Sequence, residues 1–188
     1  MIVEWLENIK KAWGRKKLPS KVNTNRETAV SNFHNANSVA LLYEEKGESY
    51  FILVKQYVKY LKSEFGVREV MALCYIDHKK EVPHYHTHRL KFDYFLKSEL
   101  NWWYEPNCEQ VKKFVTGEYD ILINLERSPA LPLEFIQVES NAKLKVGYFR
   151  NGREAFFDLM LDLPEKATFD EYVKQVNHYL TRINYERA

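Results

Sequence analysis

The chain has 188 residues, of which 45% are hydrophobic, 29% charged and 15% aromatic. That length corresponds to about one domain, and the many aromatic side chains exclude a disordered protein. We expect no transmembrane segment, because no apolar run approaches the roughly 20 residues that span a bilayer. The two cysteines, Cys74 and Cys108, are too few for a disulfide framework, and Cys74 is expected to be a small buried hydrophobic residue.

The net charge of +2 is unevenly placed along the chain. Residues 1–37 contain seven basic and three acidic residues, whereas the rest of the chain is slightly acidic. We therefore expect no general nucleic-acid binding, which would need a basic stripe over the whole domain. The first residues lack the apolar region and the small-residue cleavage site of a secretory signal, so we expect a cytoplasmic protein.

Residues 2–17 have the periodicity of an amphipathic helix. Its apolar stripe consists of Ile2, Trp5, Leu6, Ile9 and Trp13. A polar stretch follows, so we divide the chain into a basic helix with a linker over residues 1–37 and an α/β domain over residues 38–188. We expect the stripe to pack on this domain, because an isolated helix of this length is marginal in water. A second protomer, a partner protein and an anionic membrane surface are the alternatives.

The domain alternates between continuous apolar runs and helical patterns, which is typical of βαβ units. We predict a three-layer α/β fold around a mostly parallel, Rossmann-like sheet in which residues 38–44 lie beside 119–125. Strands are predicted at residues 38–44, 68–76, 92–96, 119–125, 142–149 and 155–163. Helices are predicted at residues 48–65, after Asn107 to Val115, from Ser128-Pro129 to Glu139, and after Thr168 near the end of the chain.

The chain also contains a strong hairpin signal. Asn151-Gly152 lies between the alternating residues 142–149 and the apolar residues 155–163. This dipeptide favours the two-residue turns that join antiparallel strands. We therefore predict that these two strands form an antiparallel hairpin at one edge of the sheet.

One candidate ligand-binding site follows the strand at residues 119–125. Asn124, Arg127 and Ser128 lie where that strand ends and the next helix is predicted to begin. Free backbone N–H groups at a helix start, together with the Arg127 guanidinium, could hold an anion there. The structural alternative is that Ser128 caps its helix and Arg127 is solvated.

A second polar cluster consists of Ser140, Asn141 and Lys143, which precede the strand at residues 142–149. The structural alternative is that Asn141 is the left-handed residue after a helix and that Lys143 and Lys145 lie on a half-exposed strand face. An open crevice that joins this cluster to Arg127 and Ser128 would favour an enzyme. A packed surface would favour an adaptor protein.

Three histidines, His84, His86 and His88, alternate along the sequence. In an extended segment such residues share one face, so three imidazoles could converge on a metal ion. No second cluster of Cys or His occurs at zinc spacing, so we expect an exposed polar loop and no metal site.

We predict no cofactor. Neither GxGxxG nor GxxxxGK[ST] occurs in the sequence, and the acidic turn at residues 44–48 would repel a phosphate. No GxSxG pattern is present, and neither cysteine lies beside a histidine or a basic residue in the sequence. Whether the protein is an enzyme therefore stays open.

Several segments resemble a conserved bacterial protein family of unknown function, a small α/β domain with a basic N-terminal segment. The segments are YDILINL at 119–125, LPLEFI at 131–136, SNAKLKVG at 140–147, FDLMLDL at 157–163 and QVNHYL at 175–180. The resemblance implies a fold, but it implies no reaction, ligand or functional residue.

The lack of a catalytic pattern favours a soluble, non-enzymatic binding or adaptor module with the helix at residues 2–17 as its docking element. The alternative is a small Rossmann-like enzyme that acts on an anionic or nucleotide-like ligand at the carboxyl ends of the strands. The third interpretation is a protein that binds a metal through the histidine triplet. The expected partners are an unknown protein or a small anionic ligand, and oligomerisation is also open.

Overall fold

The computed structural model of the protein describes residues 2–77, 82–86 and 92–183. Within these residues the chain forms five α-helices and six β-strands. The helices are α1 (Ile2–Lys17), α2 (Glu48–Phe65), α3 (Glu109–Thr116), α4 (Leu131–Glu139) and α5 (Phe169–Arg182). The strands are β1 (Ser38–Glu44), β2 (Glu69–Ile76), β3 (Phe92–Leu96), β4 (Ile121–Asn124), β5 (Leu144–Tyr148) and β6 (Leu159–Leu161). Among the described helices, none has the length and apolar character needed to cross a membrane.

The strands form one sheet in the order β3-β2-β1-β4-β5-β6, and each neighbouring pair within the described residues is parallel. In this register Val39 of β1 lies between Val70 of β2 and Ile121 of β4. The predictions that residues 38–44, 68–76 and 119–125 are adjacent parallel strands, with 38–44 beside 119–125, are therefore confirmed. Their apolar runs are continuous because both faces of the central strands are buried.

Helices cover both faces of the sheet. Alternate residues of β1 point to opposite sides, so Leu41 packs in the cluster that contains α2 and α5, whereas Leu42 packs in the cluster that contains α3 and α4. A third cluster lies outside α4, where Leu18 after α1 packs with Phe135 and Phe157. The predicted layers of helix, sheet and helix are present.

The predicted antiparallel hairpin is wrong, because β5 and β6 are parallel, with Val146 opposite Leu159. Asn151-Gly152 does form a turn, and Gly152 adopts a φ of 73°. The chain then continues through a short 3-10 helix, Glu154–Phe156, and returns to the start of β5. There Phe157 packs directly on Gly147, where a Cβ would come within 2.3 Å of the phenyl ring. Burial of this aromatic side chain outweighs the local preference for a hairpin.

Two helices begin later than predicted. The residue before α3 is Cys108 rather than Asn107, and the residue before α4 is Ala130 rather than Ser128. The proline in the first turn of α4 is Pro132, so Ser128 does not cap this helix. The predicted start of α5 after Thr168 is confirmed. The Thr168 side chain accepts a hydrogen bond from the Glu171 N–H and forms a capping box with Glu171.

The helix α1 contacts the rest of the protein through a side next to its apolar stripe, which carries Gly14, Lys11 and Lys17. Gly14 lies so close to the Trp103 carbonyl that a Cβ at residue 14 would be 2.3 Å from that oxygen. The Lys17 ammonium lies 3.5 Å from the centroid of the Trp103 ring, and the Lys11 ammonium lies 5.4 Å from that of Tyr104. These cation–π contacts place basic side chains of α1 against aromatic rings of the body.

The expectation that the apolar stripe packs on the domain is therefore wrong. Trp5 is 65% exposed and Trp13 is 53% exposed, and Leu6 is exposed as well. The side chain of Ile2 lies outside the part that the structure describes. A helix approaches a neighbouring backbone this closely only through a residue without a side chain, and in α1 that residue, Gly14, is about half a turn away from Trp5.

Candidate functional site

A buried carboxylate lies at the carboxyl edge of the sheet, between β1 and β4. Glu126, which follows β4, is 2% exposed. Its side chain accepts hydrogen bonds from the Glu44 N–H and the Tyr50 hydroxyl, both at 3.0 Å, and it pairs with the Lys46 ammonium. In open parallel sheets ligands bind at the point where the strand order reverses, which here lies between β1 and β4. The position most suited to an anion is thus filled by a carboxylate of the protein itself.

A cavity of about 260 Å³ opens at the same edge, on the face covered by α1 and α4. Lys11 and Arg15 of α1, Glu44, Asp77 and the candidate residue Ser128 all line it. Burial raises the pKa of Glu44, and the nearby Glu126 carboxylate raises it further. Because two basic and two acidic side chains share the lining, its charge does not select for an anion.

Two other candidate residues at this edge make contacts within the protein. The Asn124 side-chain oxygen accepts a hydrogen bond from the Glu126 N–H at 3.0 Å, whereas its buried Nδ2 has no partner among the described residues. Arg127 donates to the carbonyl oxygen of Pro164 at 2.9 Å, and its guanidinium lies 4.5 Å from the centroid of the Tyr148 ring. Arg127 therefore joins the loops that follow β4 and β6.

Ser140, Asn141 and Lys143 precede β5 and lie at the opposite, amino edge of the sheet. The structure thus does not bring them together with Arg127 and Ser128, which lie at the carboxyl edge. Lys143 pairs with Asp120 of the loop before β4, with 3.2 Å between Nζ and Oδ1, and this hydrogen bond raises the pKa of Lys143. A lysine held in its charged form is a poor base or nucleophile.

The adjacent lysine of β5 is chemically different. Lys145 was expected on a half-exposed strand face, but it is buried, and its ammonium donates to the Val138 carbonyl oxygen at 3.1 Å. Burial lowers its pKa to about 7, with a further lowering by Arg26 and an opposing effect of Asp158. The alternation of lysine with apolar residues in the sequence could not reveal that Lys145 is buried, because its burial results from α4, which covers the face of β5 that carries Lys145.

We expect the free energy of unfolding to rise with pH between about 7 and 10.5 because of Lys145. In this range the unfolded state keeps a proton on Lys145 that the folded state has released, so higher pH favours folding. Urea unfolding of the Lys145→Met variant at several pH values should show a weaker rise than the wild type.

The matched control for this measurement is Lys143→Met. The pKa of Lys143 is raised, so this lysine stays protonated in both states below 10.5 and its removal should leave the slope in that range unchanged. Identical pH dependence of the wild type and Lys145→Met would contradict the prediction.

The histidine segment is only partly an exposed loop. His84–His86 forms a 3-10 helix in which His84 is exposed and His86 is 2% exposed, so the prediction of an exposed loop is wrong for His86. The His86 Nε2 atom lies 2.5 Å from Oε2 of Glu45, and its ring packs 4.9 Å from that of Phe51. The 3-10 turn breaks the extended alternation on which the triplet depended. His88 lies outside the described residues.

The outer face of α1 exposes several large apolar side chains to solvent. We define it by Trp5, Leu6, Ile9, Trp13 and Lys16. Ile9 is half-buried and the other four side chains are exposed. The Lys16 ammonium lies 5.8 Å from the centroid of the Trp13 ring, so a positive charge accompanies the apolar surface.

These features define an α/β protein with a parallel sheet, helices on both faces and an additional amphipathic helix. The chain belongs to DUF6913, a family of unknown function, whose model matches residues 10–183. No curated protein and no solved structure matches the chain. The matched range begins within α1, so Trp13 lies inside it and Trp5 before it.

Proposed function

We propose that the protein is a non-enzymatic binding module that docks on an anionic membrane surface through the outer face of α1. The observation that carries this proposal is the orientation of α1, which presents Trp5 and Trp13 to solvent while a different side, with Gly14, contacts the body. Amphipathic helices with tryptophan and aliphatic residues on one side and basic residues around them bind in the interfacial layer of membranes.

The charge of α1 supports an anionic surface as the occupant. The helix carries five basic residues, Lys10, Lys11, Arg15, Lys16 and Lys17, and two acidic residues, Glu4 and Glu7. Two of the basic residues, Lys11 and Lys17, lie against aromatic rings of the body, so the direct attraction to lipid rests on the other three. Each basic residue near an anionic bilayer contributes about 1 kcal/mol of attraction. Because the body from residue 38 onward is slightly acidic, the attraction would orient the molecule with α1 toward the lipid.

A second copy of the chain is a less suitable partner for the outer face of α1, because this face is small for a stable protein–protein interface. Stable interfaces bury about 800 Å² on each partner, which corresponds to roughly 20–30 residues. The outer face of α1 offers four apolar side chains and one lysine. Shallow insertion into a bilayer needs no such area, because the lipid surrounds each inserted side chain.

Co-sedimentation with lipid vesicles tests the proposal. The wild type should bind vesicles of phosphatidylcholine with phosphatidylserine, bind pure phosphatidylcholine far less, and lose affinity as salt is raised. The double variant Trp5→Gln/Trp13→Gln should bind at least about tenfold more weakly, since burying two indole rings contributes several kcal/mol. Tyr179→Gln, which removes an exposed aromatic residue from α5 on the other face of the sheet, is the matched control and should bind like the wild type.

Two results would contradict the proposal. One is equal binding of the wild type and the double variant to anionic vesicles. The other is a dimer in sedimentation velocity that dissociates in the double variant, which would assign the outer face to a second copy. The two buried free cysteines are compatible with the reducing cytoplasm, which is the side of the membrane we propose.

The strand order supports a second candidate, a Rossmann-like protein that binds a small ligand at the carboxyl edge. The order β3-β2-β1-β4-β5-β6 is that of dinucleotide-binding sheets, and the cavity beside Ser128 lies at the reversal point. The acidic residues Glu44, Asp77 and Glu126 at this edge disfavour a nucleotide phosphate. A thermal-shift screen of nucleotides should therefore give no shift, whereas a bound nucleotide at about 100 times its Kd would stabilise the protein by about 2.7 kcal/mol.

A further inference from the structure

Three potential metal ligands of different chemistry meet beneath the carboxyl end of the sheet. The ligand atoms of Glu45, Cys74 and His86 all lie within 4.8 Å of one another. We infer that these three side chains form a binding site for one divalent zinc-type cation. The site shares no residue with the outer face of α1, so it does not depend on the proposed docking function.

The three ligands come from separate parts of the chain that the fold holds together. Cys74 belongs to β2 and lies opposite Tyr43 of β1, Glu45 follows β1, and His86 ends the 3-10 helix at His84–His86. Zinc binds sulfur at about 2.3 Å and nitrogen or oxygen at about 2.0–2.2 Å, which places tetrahedral ligands about 3.2–3.8 Å apart. Ligand atoms that already lie within 4.8 Å need only small side-chain movements to reach this spacing.

Neighbouring groups orient the Glu45 carboxylate. Its Oε1 accepts hydrogen bonds from the Tyr85 hydroxyl at 2.5 Å and the Gly47 N–H at 2.6 Å, and these bonds lower the pKa of Glu45 against the effect of its burial. Oε2 is thereby directed to His86 Nε2, to which it is hydrogen-bonded, so a cation would replace the shared proton and separate these two atoms to about 3.2 Å or more. Hydrogen bonds of this kind fix the orientation of carboxylate ligands in metal sites.

The surroundings offer a further polar group. The buried Tyr43 hydroxyl lies beside the Cys74 thiol, and burial, together with this contact, raises the pKa of Tyr43. Beyond the thiol it has no hydrogen-bond partner among the described residues. A water molecule in the fourth position of the cation would give the hydroxyl a partner once the thiolate binds the cation.

The donor set selects the class of cation. Sulfur, nitrogen and oxygen ligands together suit zinc and its neighbours in the first transition series, whereas magnesium and calcium prefer oxygen alone. Burial raises the pKa of Cys74 well above its ordinary value, so without a cation the thiol is neutral. Cation binding would release this proton, and the affinity should therefore increase with pH.

The competing explanation is a simple hydrogen bond between His86 and Glu45 in a packed interior. In that arrangement the Cys74 thiol only donates a weak hydrogen bond to the Tyr75 carbonyl oxygen, at 3.6 Å, so a requirement for Cys74 in cation binding would distinguish the two explanations. The sequence predicts Cys74 as part of the apolar core and offers His84, His86 and His88 as the potential metal ligands. Of the two of these histidines that the structure describes, His86 belongs to this cluster.

Cobalt and zinc titrations of the full chain test the inference. The wild type should retain about one zinc per chain after dialysis, measured by mass spectrometry of the metal, and Co²⁺ should give the ultraviolet charge-transfer band of a thiolate ligand. Cys74→Ala and Glu45→Gln should both lose stoichiometric zinc, and Cys74→Ala should lose the cobalt band. Cys108→Ala removes the other buried cysteine and should behave like the wild type.

The cobalt spectrum of the wild type tests the inference without any substitution, so the test does not depend on whether a variant folds. A wild type that retains no zinc and shows no thiolate band at neutral and mildly alkaline pH would overturn the inference. Zinc retained equally by the wild type, Cys74→Ala and Glu45→Gln would also overturn it, because the metal would then be bound elsewhere. A rise of several degrees in the melting temperature on zinc addition, present in Cys108→Ala and absent in Cys74→Ala, would support it.

Discussion

Replacing Glu134 by alanine is expected to lower the free energy of unfolding by about 3–5 kcal/mol. Glu134 of α4 is 5% exposed and lies between two arginines. Its Oε1 lies 3.1 Å from Arg150 Nη1 and 3.1 Å from Arg153 Nε. Burial lowers the pKa of Arg150, and the Glu134 charge opposes this effect. Without Glu134, two partly buried guanidinium groups would lose their only described carboxylate partner.

Urea unfolding with Glu109→Ala as the control measures this effect. Glu109 pairs with Lys113 on the exposed face of α3, and such solvent-exposed pairs contribute little to stability. The double variant Glu134→Ala/Arg150→Ala should lose less than the sum of the two single variants, because the first substitution already removes the shared interaction. A loss below about 1 kcal/mol for Glu134→Ala would show that the arginines are solvated instead.

The second large effect is expected at Glu126, where alanine should cost about 3 kcal/mol of stability. The Tyr50 hydroxyl and the Glu44 N–H would both lose a charged acceptor in a buried position. Lys46 is half-exposed and can turn to water, so its charge adds little to the cost. Burial and the Glu126 charge both raise the pKa of Tyr50, in agreement with this close contact.

Glu126→Gln serves as the comparison, because an amide oxygen can still accept both hydrogen bonds. We expect it to lose clearly less stability than Glu126→Ala in the same urea experiment. Equal losses for the two variants would mean that the negative charge, rather than the hydrogen bonds, stabilises this edge.

The central sheet could be predicted from the sequence because strands such as β1 and β4 are apolar on both faces, a pattern that depends little on distant contacts. The edge could not. Asn151-Gly152 favours a hairpin locally, but Phe157 packs on Gly147 and reverses the direction of β6. Full burial of a phenylalanine side chain contributes about 1.5–3 kcal/mol, and this depends on contacts that the local sequence does not reveal.

The candidate site was less predictable than the fold, since residues far apart in the sequence decide it. Periodicity identifies the apolar stripe of α1, but the small size of Gly14 determines which side meets the body. Likewise the acidic turn after β1 could be recognised, whereas the meeting of Glu45 with Cys74 and His86 depends on strand register and on a 3-10 turn.

The most direct test of the docking function is quenching of tryptophan fluorescence by lipids brominated on their acyl chains. The protein has four tryptophans, of which Trp5 and Trp13 lie on the outer face of α1 and Trp102 and Trp103 in the loop before α3. Anionic vesicles with brominated lipid should quench the wild type strongly. Trp5→Phe/Trp13→Phe keeps an apolar face, so it should still co-sediment with the vesicles but lose most of the quenching. Binding with no quenching in the wild type, or equal quenching in both proteins, would contradict insertion of this face.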